Sequence, residues 1–202
     1  MKVKICGLTR ETDVEAAIEG GATHLGCVLA PESPRAVKAA DAGALIGDPG
    51  TGVTAVLVFR GATCTDVQAA VDVSGIGTVQ LHRHAEEDAV ALEAAGLTVI
   101  RARDVGSEIP AGLVVTERCP ILLDVGGGGS GRSFDWTLLG GISTEHVFVA
   151  GGITPENVGQ LLDHDPWGID ISSGIESSPG IKDLDRLRAL FAAIEKYSGR
   201  IA

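Results

Sequence analysis

Short apolar runs alternate with helical patterns from one end of this chain to the other, and no other feature limits its possible folds as much. Eight runs stand out, at about 3–6, 23–29, 53–59, 78–82, 97–102, 121–125, 147–150 and 167–171. Several are rich in Val, Ile and Leu with no polar alternation, as strands covered on both faces are. Between them fall helical patterns near 11–19, 35–45, 65–71, 86–95 and 134–139, the last of these short. The final pattern, 183–197, places Leu184, Leu187, Leu190, Phe191 and Ile194 on one face. After the fifth strand, Pro110, Gly112 and Val114-Val115-Thr116 all oppose a helix. The 202 residues divide into eight βα units of about 25 each. Such alternation calls for a parallel sheet with right-handed crossovers, and eight units favour closure into a single-domain α/β (βα)8 TIM barrel over residues 1–202. An open, doubly wound sheet is the alternative, but no G-x-G-x-x-G follows the first strand.

The composition excludes several classes. A chain that is 45% hydrophobic has no reason to be disordered. A net charge of −11 argues against a nucleic-acid partner. It also requires that an anionic ligand be held by local Arg, Lys and backbone N–H groups against the global field. No apolar run reaches a membrane span, and MKVKICG does not read as a signal peptide, so no membrane partner and a cytoplasmic location are expected. Cys6, Cys27, Cys64 and Cys119 form no C-x-x-C pair, so neither a metal site nor a disulfide framework is expected, while one catalytic thiol remains open. Self-association is left open by the sequence.

In a (βα)8 barrel the chemistry lies on the loops after the strands. The stretch 147–176, VFVAGGITPENVGQLLDHDPWGIDISSGIE, supplies two such loops of unusual kind. One strand runs into Gly151-Gly152 and the next into Ser172-Ser173-Gly174. Between them Thr154, with Pro155 and Glu156 behind it, is expected to open a helix. Either glycine turn alone could serve only to make a tight loop. Two in succession, at strands 7 and 8, point to a phosphate held by backbone amides, with Gly151, Gly152, Ser173 and Gly174 as its cradle.

Cys6 closes strand 1 and Asp124 closes strand 6, which puts them on opposite sides of the barrel mouth. Cys6 is either a small buried hydrophobe or a thiol placed for proton transfer. Asp124 leaves the very apolar run 120–123; it either caps the following glycine-rich turn or is a carboxyl raised by an apolar site into the range of a general acid. An acid and a base flanking a small substrate suit a sugar isomerisation. Arg35, after Ser33-Pro34, is either a fork for a carboxylate or phosphate or a solvated residue at a helix start. His82 belongs to an H-x-H spacing with no evident third metal ligand, so hydrogen bonding fits it better than zinc. Asp170 either orients a polar ligand group or pairs with a basic neighbour.

Taken together and in order, these segments resemble the phosphoribosylanthranilate isomerase family of tryptophan biosynthesis along the whole chain. The resemblance rests on 4–9 (KICGLT), Ser33-Pro34-Arg35, 79–82 (VQLH), 122–124 (LLD), 128–131 (GGSG) with 134–136 (FDW), 150–158 (AGGITPENV), 170–176 (DISSGIE) and 179–183 (PGIKD). It implies a (βα)8 barrel, a phosphorylated small-molecule substrate, no cofactor and no metal, and an Amadori rearrangement of N-(5-phosphoribosyl)anthranilate. It further implies that Asp124 is the general acid and Cys6 the general base. Arg35 would contact the anthranilate carboxylate region, His82 and Asp170 would line the site, and Gly151, Gly152, Ser173 and Gly174 would bind phosphate. A related isomerase of the histidine pathway would be expected to carry carboxylates at both catalytic positions and two phosphate sites, unlike this chain. A barrel that binds such a metabolite without turnover is a third possibility. Three features depart from the family pattern: Arg83 stands where Gly is usual, Cys27 replaces an aromatic expected to help hold the anthranilate ring, and the loop after Asp124 is short.

Overall fold

The computed structural model of the chain describes residues 1–113, 115–126 and 131–201, and within these all side chains except those of residues 200 and 201. Val114 and the expected Gly128-Gly129-Ser130 segment lie outside the described residues. Eight parallel strands close into a barrel in sequence order. They are β1 Lys2–Cys6, β2 His24–Val28, β3 Thr54–Arg60, β4 Thr78–His82, β5 Thr98–Asp104, β6 Ile121–Asp124, β7 Val147–Ala150 and β8 Gly168–Ile171. The seam is a parallel pairing of β1 with β8, with Val3 opposite Ile169 and Lys4 opposite Asp170. Helices α1 Glu11–Gly20, α2 Ala39–Ile46, α3 Cys64–Ser74, α4 Glu86–Ala94, α5 Val158–Leu162 and α6 Leu184–Ile201 cover the outside. Among the described residues no helix is long and apolar enough to cross a membrane.

Alternation along each strand sorts side chains into two layers. Val3, Ile5, Leu25, Cys27, Leu57, Val79, Val99, Leu123 and Val149 point outward and form one core with the helices. Cys6, Val56, Val58, Ile100, Leu122, Phe148 and Ala150 form a second cluster inside the barrel. Phe148 fills the space left by Gly168, where a Cβ would come within 2.6 Å of its ring. It meets His24 and Trp167 edge-on at 5.2 and 5.0 Å, so aromatic rings plug the barrel near the strand starts. Functional groups are thereby confined to the other end.

Three local expectations are corrected, and the opposition to a helix after β5 is seen in the fold. No described residue between β5 and β6 is helical; Thr116 and Cys119 instead pair across a tight turn, as Pro110, Gly112 and the β-branched residues dictate. The segment expected to be helical at 134–139 forms a 3-10 turn at Trp136–Gly141, with Asp135 accepting from Thr137 N at its start. Helix α2 begins at Ala39 rather than near Arg35, because Ala36 bridges to Val28 and Val37 N donates to Val28 O, holding this stretch extended. Arg35 is therefore a loop residue tied to the end of β2. Helix α5 begins at Val158, after a turn that is fixed by Asn157 and not by a Thr154 side-chain cap: Asn157 accepts from Thr154 N and donates to Gly152 O, each at 2.8 Å.

After β8 the chain makes a 3-10 turn, Ser173–Ile175, and a small antiparallel hairpin of β9 Glu176–Ser178 and β10 Ile181–Lys182. Asp13 accepts from Lys182 N and Arg10 donates to Lys182 O, so the hairpin is fastened to the start of α1. This clasp brings Glu176 and Lys182 beneath the barrel mouth.

Candidate active site

At the C-terminal ends of the strands lies a cavity of about 460 Å³, the size of a small-ligand pocket. All nine residues singled out from the sequence line it: Cys6, Arg35, His82, Asp124, Gly151, Gly152, Asp170, Ser173 and Gly174. Cys6 comes from β1 and Asp124 from β6, and both are more than nine-tenths buried. The thiol is neither outside the carboxyl's cavity nor sealed beneath the core.

The environments of the two groups differ. Burial pushes the Asp124 carboxyl up to about 6, with the charge of Asp170 adding to the effect, and the Val125 N–H bond at 2.7 Å only partly offsets it. Asp124 therefore accepts from the turn that follows and also faces the cavity. Burial also pushes the Cys6 thiol above its ordinary value, against the pull of Lys4 and Lys182. Lys4 is the nearer of these cations. A Cβ built on Gly26 would sit 3.1 Å from both Cys6 Sγ and Lys4 Nζ, so the missing methyl leaves room for sulfur and ammonium side by side. Lys4 Nζ also lies 2.9 Å from Asp170 Oδ1, which realises the pairing alternative for Asp170.

His82 is held neutral, its pKa lowered to about 4 by burial and then by the charges of Lys4 and Arg60. Its Nε2 lies 2.8 Å from Gln80 Nε2. With the amide donating, the ring accepts there and carries its proton on Nδ1. Among the described residues no group of three His, Cys, Asp or Glu side chains could hold a metal ion.

Arg35 lies over Gly7, whose φ of +75° and absent Cβ make room for its stem; a Cβ there would come within 2.6 Å of Arg35 Cδ. Its fork closes on Glu176, with Nε at 2.9 Å from Oε1 and Nη2 at 2.7 Å from Oε2. Glu176 also accepts from Lys182 Nζ at 2.9 Å, and that ammonium donates to the carbonyls of Cys6 and Ser172. Burial works to raise the Glu176 carboxyl, but the two cations hold it below the ordinary range. Sequence reasoning assigned no role to Lys4, Gln80, Glu176 or Lys182. Lys4 was within reach, since it shares the inward face of β1 with Cys6. Glu176 and Lys182 sit in segments with no chemical pattern of their own.

Opposite, the turns after β7 and β8 meet backbone to backbone. Gly151 and Gly152 both have left-handed φ, +91° and +61°, as a tight double-glycine turn needs. A Cβ on Gly151 would lie 2.5 Å from Arg132 O and 3.0 Å from Asp124 Oδ1, so this turn packs directly on the acid. Among the described residues, the N–H groups of Gly152 and Ser173 donate to no partner. Cys27 is corrected by the parity of β2: it points away from the cavity, its Sγ 3.4 Å from Leu8 O, and Val28 lines the pocket from this strand.

A closed parallel barrel whose polar groups converge at the strand C-termini, beside two amide turns after its last strands, has the architecture of a (βα)8-barrel enzyme. The family model for N-(5'-phosphoribosyl)anthranilate (PRA) isomerase matches residues 3–193. An N-(5'-phosphoribosyl)anthranilate isomerase from Methylibium petroleiphilum is 36% identical over 212 residues, covering 100% of this chain and 97% of its own. A crystal structure of the enzyme from Thermus thermophilus superposes with a TM-score of 0.83 at 34% identity, over 97% of this chain and 99% of its own. Another phosphoribosylanthranilate isomerase structure, in complex with reduced 1-(o-carboxyphenylamino)-1-deoxyribulose 5-phosphate, superposes at 0.81 with 28% identity, over 97% of this chain and 99% of its own. The chain belongs to the N-(5'-phosphoribosyl)anthranilate isomerase family, enzymes of tryptophan biosynthesis.

Proposed function

We propose that the chain converts N-(5-phosphoribosyl)anthranilate to 1-(2-carboxyphenylamino)-1-deoxyribulose 5-phosphate by an Amadori rearrangement run on general acid–base catalysis. The carrying observation is that Cys6 and Asp124 open onto one cavity together with the amide turns of β7 and β8. The substrate's phosphate would accept from the amides around Gly151, Gly152, Ser173 and Gly174. Asp124, as the neutral acid, would give its proton to the ribose ring oxygen as the bond from that oxygen to C1 breaks, leaving a Schiff base between C1 and the aryl nitrogen. Cys6, as thiolate, would then take the proton from C2. The C–H electron pair forms the C1–C2 double bond, and the imine electrons return to nitrogen. The resulting enolamine becomes the aminoketose by proton shift. Lys4 beside the sulfur favours the thiolate. Neutral His82 and Asp170 would face the sugar hydroxyls, and Arg35 would border the anthranilate region.

The test follows loss of substrate fluorescence. Cys6→Ser and Asp124→Asn should each lower turnover by about 10²-fold or more, the ordinary worth of a placed proton-transfer group. Undiminished turnover in both variants contradicts these roles.

A further inference from the structure

Beneath the barrel mouth lies a cation that does not line the cavity. Lys182 closes β10, and its side chain is wholly buried. Its backbone is clamped on both sides, N–H to Asp13 and C=O to Arg10, so the side chain leaves from a fixed base. The ammonium has three donors and meets three acceptors: Cys6 O at 2.6 Å, Glu176 Oε1 at 2.9 Å and Ser172 O at 3.3 Å. Glu176 is also bound by Arg35, so two cations share one carboxylate and the group is left net positive.

Ser172 and Ser173 share a trans peptide. The C=O and N–H of such a unit point opposite ways. With Ser172 O drawn toward Lys182, Ser173 N–H is turned away from it. That N–H donates to no partner among the described residues. Ser173 lines the cavity together with Gly151 and Gly152, whereas Lys182 stands behind the turn. A cation at a carbonyl oxygen polarises the whole unit and strengthens the donor at its other end.

We propose that Lys182 is a positioning residue of the phosphate site, which orients and polarises the Ser172–Ser173 peptide from behind without touching the ligand. This rests on the isomerase reading, in which that turn holds the substrate's phosphate. The phosphate then feels a buried positive charge through one peptide, in a chain whose net charge of −11 otherwise opposes an anion. The same ammonium holds the carbonyl of Cys6, so the phosphate turn and the end of β1 share one anchor.

The experiment measures binding of two ligands by calorimetry, the reduced product analogue and the same aminopentitol with a free 5-hydroxyl in place of the phosphate. Wild type should prefer the phosphorylated ligand by about 100-fold or more, the worth of a phosphate held by charge-assisted amide bonds. Lys182→Met should bind the phosphate-free ligand within about 2-fold of wild type and lose about 10-fold on the phosphorylated one. Lys182→Gln, neutral but polar, should show the same selective loss, and Lys182→Arg should keep the wild-type preference to within about 3-fold. In wild type, adding inorganic phosphate should shift both the Ser173 amide and the Lys182 Cε resonance, a readout that needs no substitution. A preference intact in Lys182→Met or Lys182→Gln, an equal loss of both ligands, or a Lys182 resonance that does not respond to phosphate overturns the assignment. Wild type binding both ligands alike overturns the phosphate reading itself.

Discussion

Lys4 and Asp170 form an ion pair inside the barrel, Nζ to Oδ1 at 2.9 Å, with the lysine side chain wholly buried. It joins the first strand to the last, directly across the β1–β8 seam. Burial works against the ammonium, yet Asp170 and the neighbouring Cys6 hold Lys4 above its ordinary value. A pair of this kind is weak evidence for stability, because desolvation offsets most of the attraction, but removing one member strands the other.

Lys4→Met should therefore lower unfolding stability by about 3–5 kcal/mol, measured by urea denaturation. Joining it to Asp170→Leu should restore most of the loss, since the buried carboxylate is gone as well. A double variant as unstable as the sum of the two singles would show that the residues do not act as a pair.

The two groups proposed to transfer protons make an unusual prediction for pH. Asp124 is raised to about 6, and Cys6 is raised above its ordinary thiol value. The proposed mechanism needs the proton on Asp124 and none on Cys6, the reverse of the order in which they titrate. The pair carries one proton between the two pKa values, and the active arrangement is a fixed minor share of that population. So kcat/KM should rise as pH climbs through about 6, stay level, and fall only above the thiol's own titration. An acid acting without a thiolate partner would give the opposite sign, a fall as pH rises through 6. The residual activity of Cys6→Ser, which has no thiolate, should show that opposite sign, level below about 6 and falling above it.

Much of this arrangement was legible in the sequence, and the parts that were not share a cause. Strand positions were recoverable because runs such as 121–124 and 147–150 are apolar on both faces and bounded by Pro or Gly. Residues at strand ends were recoverable because a closed barrel turns position along a strand into position at the mouth. Partners far apart in sequence were not. Lys4 meets Asp170 across 166 residues, and Arg35 meets Glu176 across 141. Neither spacing carries a local pattern. Cys27 was linked to the ring pocket only by the family resemblance, whereas the parity of β2 turns it outward as a small buried hydrophobe.

Arg83 gives a prediction about stability. Its φ of +51° lies in the left-handed region, which explains why Gly is usual there. A left-handed non-Gly residue costs about 1–2 kcal/mol, partly offset by the entropy that Gly loses on folding. Arg83→Gly should thus raise stability by about 0.5–1 kcal/mol with turnover unchanged. A melting temperature lowered by several degrees would instead mean that the exposed guanidinium makes a contact worth more than the strain.

The meeting of the two amide turns is tested at Gly174. A Cβ there would overlap the carbonyl of Ile153, lie 2.9 Å from its carbon and 3.3 Å from Thr154 Cγ2, so the β8 turn packs on the loop after β7 with no room for a methyl. The neighbouring atoms are backbone and cannot rotate away. Gly174→Ala should push the two turns apart, costing about 1–3 kcal/mol of stability as an overpacked site does. It should also raise KM for the proposed phosphorylated substrate by about 10- to 100-fold, since the amides proposed to hold its phosphate no longer converge. The proposed proton-transfer groups on β1 and β6 are not displaced, so kcat should fall only a few-fold. Gly140→Ala is the control, because a Cβ there meets open space. Unchanged KM in Gly174→Ala, alongside a folded protein, would mean that the phosphate is held elsewhere.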